Sequence, residues 1–448
     1  MRTKTPICDF VEKYAEQKYA RFHMPGHKGK ALLGLEPYDI TEITGADSLF
    51  EARGIIAESQ NNAAELFGTG ATFYSAEGSS LCIRAMLYLT SLLSANKGRK
   101  TLIAATRNAH KVFALTVALL DIDVIWLDDE SANHTLCGCL VTPAELDKTL
   151  ANLACPPDAV FITSPDYLGN IADVKGLADV AHKYGSLLIC DNAHGAYLKF
   201  TKGCRHPMDV GADMCCDSAH KTLPCLTGGA YLHINKNAPK YLKDNAIDAL
   251  AMFGSTSPSY LILQSLDKVN GMLIDGYADK INKTAESVQK LKDKLTECGY
   301  TLVGSEPLKL TVNAKQYGYD GYELAKILAD GKVIAEYFDS DFVVLMVSAE
   351  NDESDLNSLE RTLKALPKKP PIIQPTFAVK PVGIMTMKQA LTAESETVDV
   401  TKALGRVLAC PTVSCPPAVP VLYGGELIDE QAVNALLYYG IGKVKVVK

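Results

Sequence analysis

The reading of this chain turns on the stretch Asp213-Met-Cys-Cys-Asp-Ser218-Ala219-His220-Lys221-Thr222. An apolar run, Met214-Cys215-Cys216, leads into it, and Gly229-Ala230-Tyr231-Leu232-His233-Ile234 leads out. Both runs predict buried strands, so Lys221 falls in the connection between them, flanked by small hydroxylated residues and a histidine. A lysine held there is costly unless its amine is used. Burial lowers its pKa and makes it a nucleophile towards carbonyls. On this stretch alone, a lysine in a surface turn explains the pattern equally well.

A second stretch tips the balance. Ser186-Leu-Leu-Ile-Cys190 reads as a buried strand ending in Asp191-Asn192-Ala193-His194. A carboxylate at the C-terminal end of one strand, with a lysine one strand further on, suits pyridoxal phosphate (PLP). The lysine condenses with the aldehyde. The acid keeps the pyridine nitrogen protonated, so that the ring accepts electrons. Ser218, three residues before Lys221, can supply a phosphate-binding hydroxyl.

At this point the chain resembles the ornithine/lysine/arginine decarboxylase family of fold-type I PLP enzymes. Matching strings run from Phe22-His-Met-Pro-Gly-His-Lys-Gly29 to Pro416-Pro-Ala-Val-Pro420, nearly the whole length. The resemblance implies that Lys221 anchors the cofactor and Asp191 pairs with its ring nitrogen. It also implies that His110, in Arg107-Asn-Ala-His-Lys111, stacks on the ring. A lone histidine after a strand is otherwise more often structural. His194 would reach the ring 3′-oxygen, and His220 the phosphate region. Gly78, Ser79 and Ser80 match the phosphate loop, where a helix N-terminus offers N–H groups and hydroxyls. Helix capping alone also accounts for Ser79 or Ser80. Ser257, in Phe253–Tyr260, would approach the phosphate of a neighbouring subunit, which implies a homodimer or an oligomer of dimers. An N-cap with a nearby proline is the plainer reading of that turn.

The implied reaction is α-decarboxylation of arginine, lysine or ornithine to the amine and carbon dioxide, a step of polyamine biosynthesis, with arginine favoured because short family members are often of that type. Departures from the family strings concern the substrate. The chain has Asp191-Asn-Ala-His-Gly-Ala-Tyr197 where Asp-Glu-Ala-His-Gly-Ala-His is common, and Thr163-Ser-Pro-Asp166-Tyr167 where Thr-Ser-Pro-Thr-Tyr is common. Asp166 adds an acid whose direction the sequence does not give. Gly424 replaces the usual proline before Glu426, whose role is equally open.

Composition sets the frame. The chain has 448 residues, 47% hydrophobic and 22% charged, with formal charge −7. No basic block points to nucleic acid. No signal core or run of roughly 18 apolar residues points to a membrane. The 13 cysteines include Cys190, Cys215 and Cys216 inside apolar runs, which reads as reduced core residues of a cytoplasmic protein. Cys137-Gly-Cys139 has no second pair nearby, so no metal site is expected.

Alternating strand and helix patterns predict an α/β fold with a mostly parallel sheet carrying ligand groups at strand C-termini. Helices are expected over 55–67, 81–95, 176–184 and 277–295. The expected division is an N-terminal arm (1–50), a PLP-binding large domain (51–275), a small α/β domain (276–366), and a proline-rich linker with a C-terminal domain (367–448).

Two other functions share these features. One is an aminotransferase or another PLP lyase of the same fold. Aminotransferases usually grip the α-carboxylate with an arginine in a small-domain strand, and Phe342–Val347 has none. The other is a non-catalytic sensor of amino acids or polyamines, against which Lys221, Asp191 and Ser218 all count.

Overall fold

The computed structural model describes residues 3–96, 98–127, 136–203, 205–375, 377, 379, 381–411 and 417–448. Pro416 of the C-terminal family string lies outside these residues. Seven strands, four in one compact unit and three in the other, form the main sheet layers of this α/β fold. They are β1 (Ala71–Ser75), β2 (Leu102–Thr106), β3 (Asp123–Leu127), β4 (Ala159–Thr163), β5 (Leu187–Asp191), β6 (Met214–Asp217) and β7 (Ala230–Ile234). Two compact units divide the chain: 1–92 with 187–282, and 93–186 with 283–448.

In the first unit the strand order is β1-β7-β6-β5. β5 and β6 run parallel, whereas β7 is antiparallel to both β6 and β1. Every residue of these four strands is buried. Strands covered on both faces read as continuous apolar runs rather than alternating ones, which is why Leu187–Cys190 and Met214–Cys216 stand out in the sequence.

Helix Pro6–Glu16 has Thr5 at its N-cap, without a side-chain bond to the first turn. Buried Asp267 fills that role from a distance. Its Oδ2 accepts the N–H groups of Ile7 and Cys8 at 2.9 Å each, and its Oδ1 accepts the Ser59 hydroxyl. The bare helix N–H groups are thereby satisfied by a residue 260 positions away. Helix Ile55–Phe67 appears where its apolar spacing predicts it and stops at Gly68 in the left-handed conformation.

In the second unit the order is β4-β2-β3, all parallel. Helix Val174–Lys183 buries Val174, Leu177, Ala178 and Ala181, and Asp173 caps it by accepting Gly176 N–H. A four-stranded antiparallel sheet (Leu302–Val303, Lys309–Asn313, Tyr337–Phe338, Phe342–Met346) and a three-stranded one (Ser395–Asp399, Leu408–Cys410, Lys443–Val447) complete the unit. The proline-rich stretch after Leu366 is pinned, since Lys369 and Ile372 donate backbone N–H groups to Tyr317 and Lys315 carbonyls.

Candidate active site

Three connections of the first unit meet around Lys221. Strand β6 ends at Asp217, and Ser218 opens the single helical turn Ala219–Thr222 that carries His220 and Lys221. Lys221 Nζ lies 2.9 Å from His194 Nε2, so the loop after β5 reaches the lysine directly. His194 is 5% exposed, which fixes one nitrogen beside the amine in a setting almost free of bulk water.

Asp191 is the last residue of β5 and is 4% exposed. Its Oδ1 accepts Ala193 N–H at 3.1 Å and the Cys216 thiol at 3.5 Å. Burial pushes this carboxyl above its ordinary range, while the Ala193 N–H and the Lys221 charge pull it part of the way back. A buried acid so thinly compensated is a receptor for a protonated nitrogen.

The phosphate-loop residues also gather here. The predicted helix begins three residues earlier than its apolar pattern indicates, spanning Gly78–Asn96 instead of starting at Leu81. Gly78, Ser79 and Ser80 therefore form its first turn, where the lack of apolar spacing hides them. Gly78 adopts φ +70° and donates its N–H to Gly228 O at 2.7 Å. The Ser218 hydroxyl donates to Ser79 Oγ at 2.9 Å, joining lysine loop and helix start. His220 Nδ1 lies 3.0 Å from Gly229 O, and a Cβ on Gly78 would sit 4.0 Å from His220 Cε1. At Gly228 (φ +100°) a Cβ would meet Ala76 O at 2.9 Å, so only glycine lets β7 return this close. Nearby, Ser255 N–H donates to Glu77 Oε1 at 2.6 Å, which ties the exposed turn carrying Ser257 to the residue before Gly78.

His110 belongs to the second unit. It is the N-cap of helix Lys111–Leu120, and its Nδ1 accepts Val112 N–H at 3.2 Å. The loop that carries it is clamped by the C-terminal segment. Arg107 Nη1 and Nη2 donate to Glu426 Oε1 and Oε2 at 2.9 and 3.0 Å, and the guanidinium lies over Trp126 and Tyr423. Tyr423 OH donates to Ala109 O, and Lys111 N–H to Ala418 O. Glu426 thus serves to hold the His110 loop. Asp166 is wholly buried and turned back on its own loop, accepting the Asn170 N–H and side-chain amide. Burial pushes it up to about 6.

Sequence reasoning passed over Asp217, His206 and His233. All three are fully buried, and both imidazoles bond to the one carboxylate. Asp217 adjoins Ser218 in the sequence, but two histidines 27 positions apart give no local signal that they converge on it.

The residues present fit PLP. An amine, a buried acid and a glycine-serine helix start lie on neighbouring connections at the C-terminal ends of β5, β6 and β1, three strands that run in the same direction.

Comparison with known proteins agrees. Residues 5–306 match the Orn/Lys/Arg decarboxylase major domain. The uncharacterized protein YaaO of Bacillus subtilis is 29% identical over 96% of this chain and 93% of its own length. The arginine decarboxylase of the same organism is 27% identical over 96% and 92%. Lysine decarboxylase A from Pseudomonas aeruginosa superposes with a TM-score of 0.81 at 16% identity, over 99% of this chain and 80% of that one, a likeness of fold. The chain belongs to the Orn/Lys/Arg decarboxylase family and is a PLP-dependent amino-acid decarboxylase of fold type I.

Proposed function

We propose that this protein decarboxylates arginine, in preference to lysine and ornithine, with Lys221 as the cofactor anchor. The observation that carries the site assignment is the 2.9 Å contact of Lys221 with His194 beside buried Asp191. Relatives named arginine decarboxylase, matched over more than nine-tenths of both chains, support the substrate.

When bound, PLP supplies the conjugated ring that takes up the electron pair left by C–CO₂ cleavage. The remaining work falls to side chains. Asp191 keeps a proton on the ring nitrogen, because a buried carboxylate favours a positive charge beside it. His194 orients the Lys221 amine, which returns a proton to Cα. Ser79, Ser80, Ser218 and the Gly78 turn hold the phosphate, with His220 at its edge. His110 is assigned to ring stacking and Ser257 to a neighbouring subunit's phosphate, both on the family resemblance; a homodimer follows from the latter. The division at 50, 275 and 366 is retained as the domain organisation. Phe342–Met346 carries no arginine, which leaves the substrate carboxylate free to depart.

The test is to offer purified, PLP-loaded protein carboxyl-labelled arginine, lysine and ornithine, with 2-oxoglutarate present. Carbon dioxide from arginine first, and little from leucine or glutamate, is the expected result. Glutamate formation without carbon dioxide overturns the reading in favour of an aminotransferase. Firm PLP binding with neither product points to a sensor. Lys221→Ala should abolish the borohydride-reducible adduct.

A further inference from the structure

Asp217 ends β6 with no solvent exposure, and donors converge on it from three elements. Asn192 Nδ2 donates to its Oδ1 at 2.6 Å. His206 Nε2 and His233 Nε2 reach its Oδ2 at 2.9 and 3.1 Å. His206 Nδ1 accepts Met208 N–H at 3.4 Å, which places the ring proton on Nε2. In that tautomer His206 donates its Nε2–H to the Asp217 carboxylate. His233 Nδ1 faces the Thr72 hydroxyl at 2.8 Å, and burial keeps this imidazole from charging. Phe67 packs on both rings, with centroids 5.4 and 4.5 Å away. Burial alone would push the Asp217 carboxyl up, but the two histidines outweigh it and hold it well below the usual range.

The placement gives this anion a purpose. Asn192 directly follows Asp191, and Asp217 directly precedes Ser218. The Asn192–Asp217 bond therefore bridges the C-terminal ends of β5 and β6. Asn192 N–H, donating to Cys216 O at 3.0 Å, extends the ladder to the same point. We propose that Asp217 is a positioning residue, whose carboxylate, shared by Asn192, His206 and His233, fixes the spacing between Asp191 and the Ser218–Lys221 loop. This rests on the assignment of Asp191 and Lys221 to the cofactor.

Asp217→Asn separates tether from charge. Asn192 Oδ1 is buried without a partner. If the new amide turns its oxygen to the two histidines and Asn192 flips, each bond is rebuilt without the charge. Asp217→Ala removes the tether. Asn192→Ala removes only the bridge, leaving the carboxylate and both histidines in place.

The experiment titrates apoprotein of each variant with PLP, recording the dissociation constant, the absorption band of the bound cofactor and the melting temperature. Asp217→Ala and Asn192→Ala should bind about ten-fold or more weakly, as expected for loss of a buried hydrogen bond to a charged group. They should also shift the absorption band, which a purely structural loss would leave in place. Asp217→Asn should stay within about three-fold of the parent, since its bonds are rebuilt. Parental affinity and band in Asn192→Ala overturn the proposal, and that variant decides alone if Asp217→Ala does not fold. Lys221→Ala separates the two levels. If it loses the borohydride-trapped adduct while Asn192→Ala binds normally, only the positioning role falls. If it keeps the adduct, the site assignment falls as well.

Discussion

Asp191→Asn should make the protein a worse enzyme and its apo form a more stable fold. The carboxyl is fully enclosed, with one backbone N–H at 3.1 Å and one thiol at 3.5 Å for donors. Its folded pKa is raised, first by burial, above the value in the unfolded chain. A raised carboxyl binds its proton more tightly when folded. Its stabilising contribution is therefore complete below the unfolded pKa and is lost as pH climbs through the folded one. At neutral pH the apoprotein bears the cost of an under-compensated anion, and asparagine removes it while keeping Oδ1 for Ala193 and Cys216. Melting of apo Asp191→Asn should thus match or exceed wild type at pH 8, with the gap closing towards pH 4. Turnover should move the opposite way. An opposite charge at contact distance is worth about 1–3 pKa units to a ring nitrogen, or roughly 10- to 1000-fold in rate. Full burial places the expected kcat loss at the upper end, about 100-fold or more, with a smaller change in KM. The assay is labelled carbon dioxide release alongside apo melts from pH 4 to 8. A kcat within about three-fold of wild type, or an apo variant less stable at pH 8, would refute the reasoning.

Glu426→Gln breaks the bidentate pair with Arg107 and should destabilise the protein by about 2–4 kcal/mol, because the pair is largely buried and the guanidinium loses its charged acceptor; an unchanged melting temperature argues against this. Asp267→Ala strands the N–H groups of Ile7 and Cys8 and should cost about 2–4 kcal/mol in urea unfolding, with faster amide exchange in helix Pro6–Glu16 than elsewhere. Asp166→Asn should leave the order of preference among arginine, lysine and ornithine unchanged, since its carboxylate serves Asn170; a reversal in relative kcat/KM would turn that acid towards the substrate.

The chain's own pattern was enough for the fold class and the family. Strands β4 to β7 are apolar runs bounded by turn residues, and strands buried on both faces cannot be written any other way. Asp191, Ser218 and Lys221 stood out as candidates because chemistry at strand ends needs particular residue types at short range. Boundaries were less legible. Gly78, Ser79 and Ser80 read as a loop before a helix, yet they are its first turn, since the opening residues of a helix need no apolar spacing. What depends on distant partners could be decided only by tertiary structure. The direction of Asp166, the bond between Glu426 and Arg107 over 319 positions, and the cap that Asp267 provides for helix Pro6–Glu16 have no local signature. The same holds for Asp217. Its sequence neighbours suggest an ordinary strand end, and only the folded chain brings His206 and His233 to it, because a buried charge is satisfied by whatever donors the packing delivers, wherever they lie in the sequence.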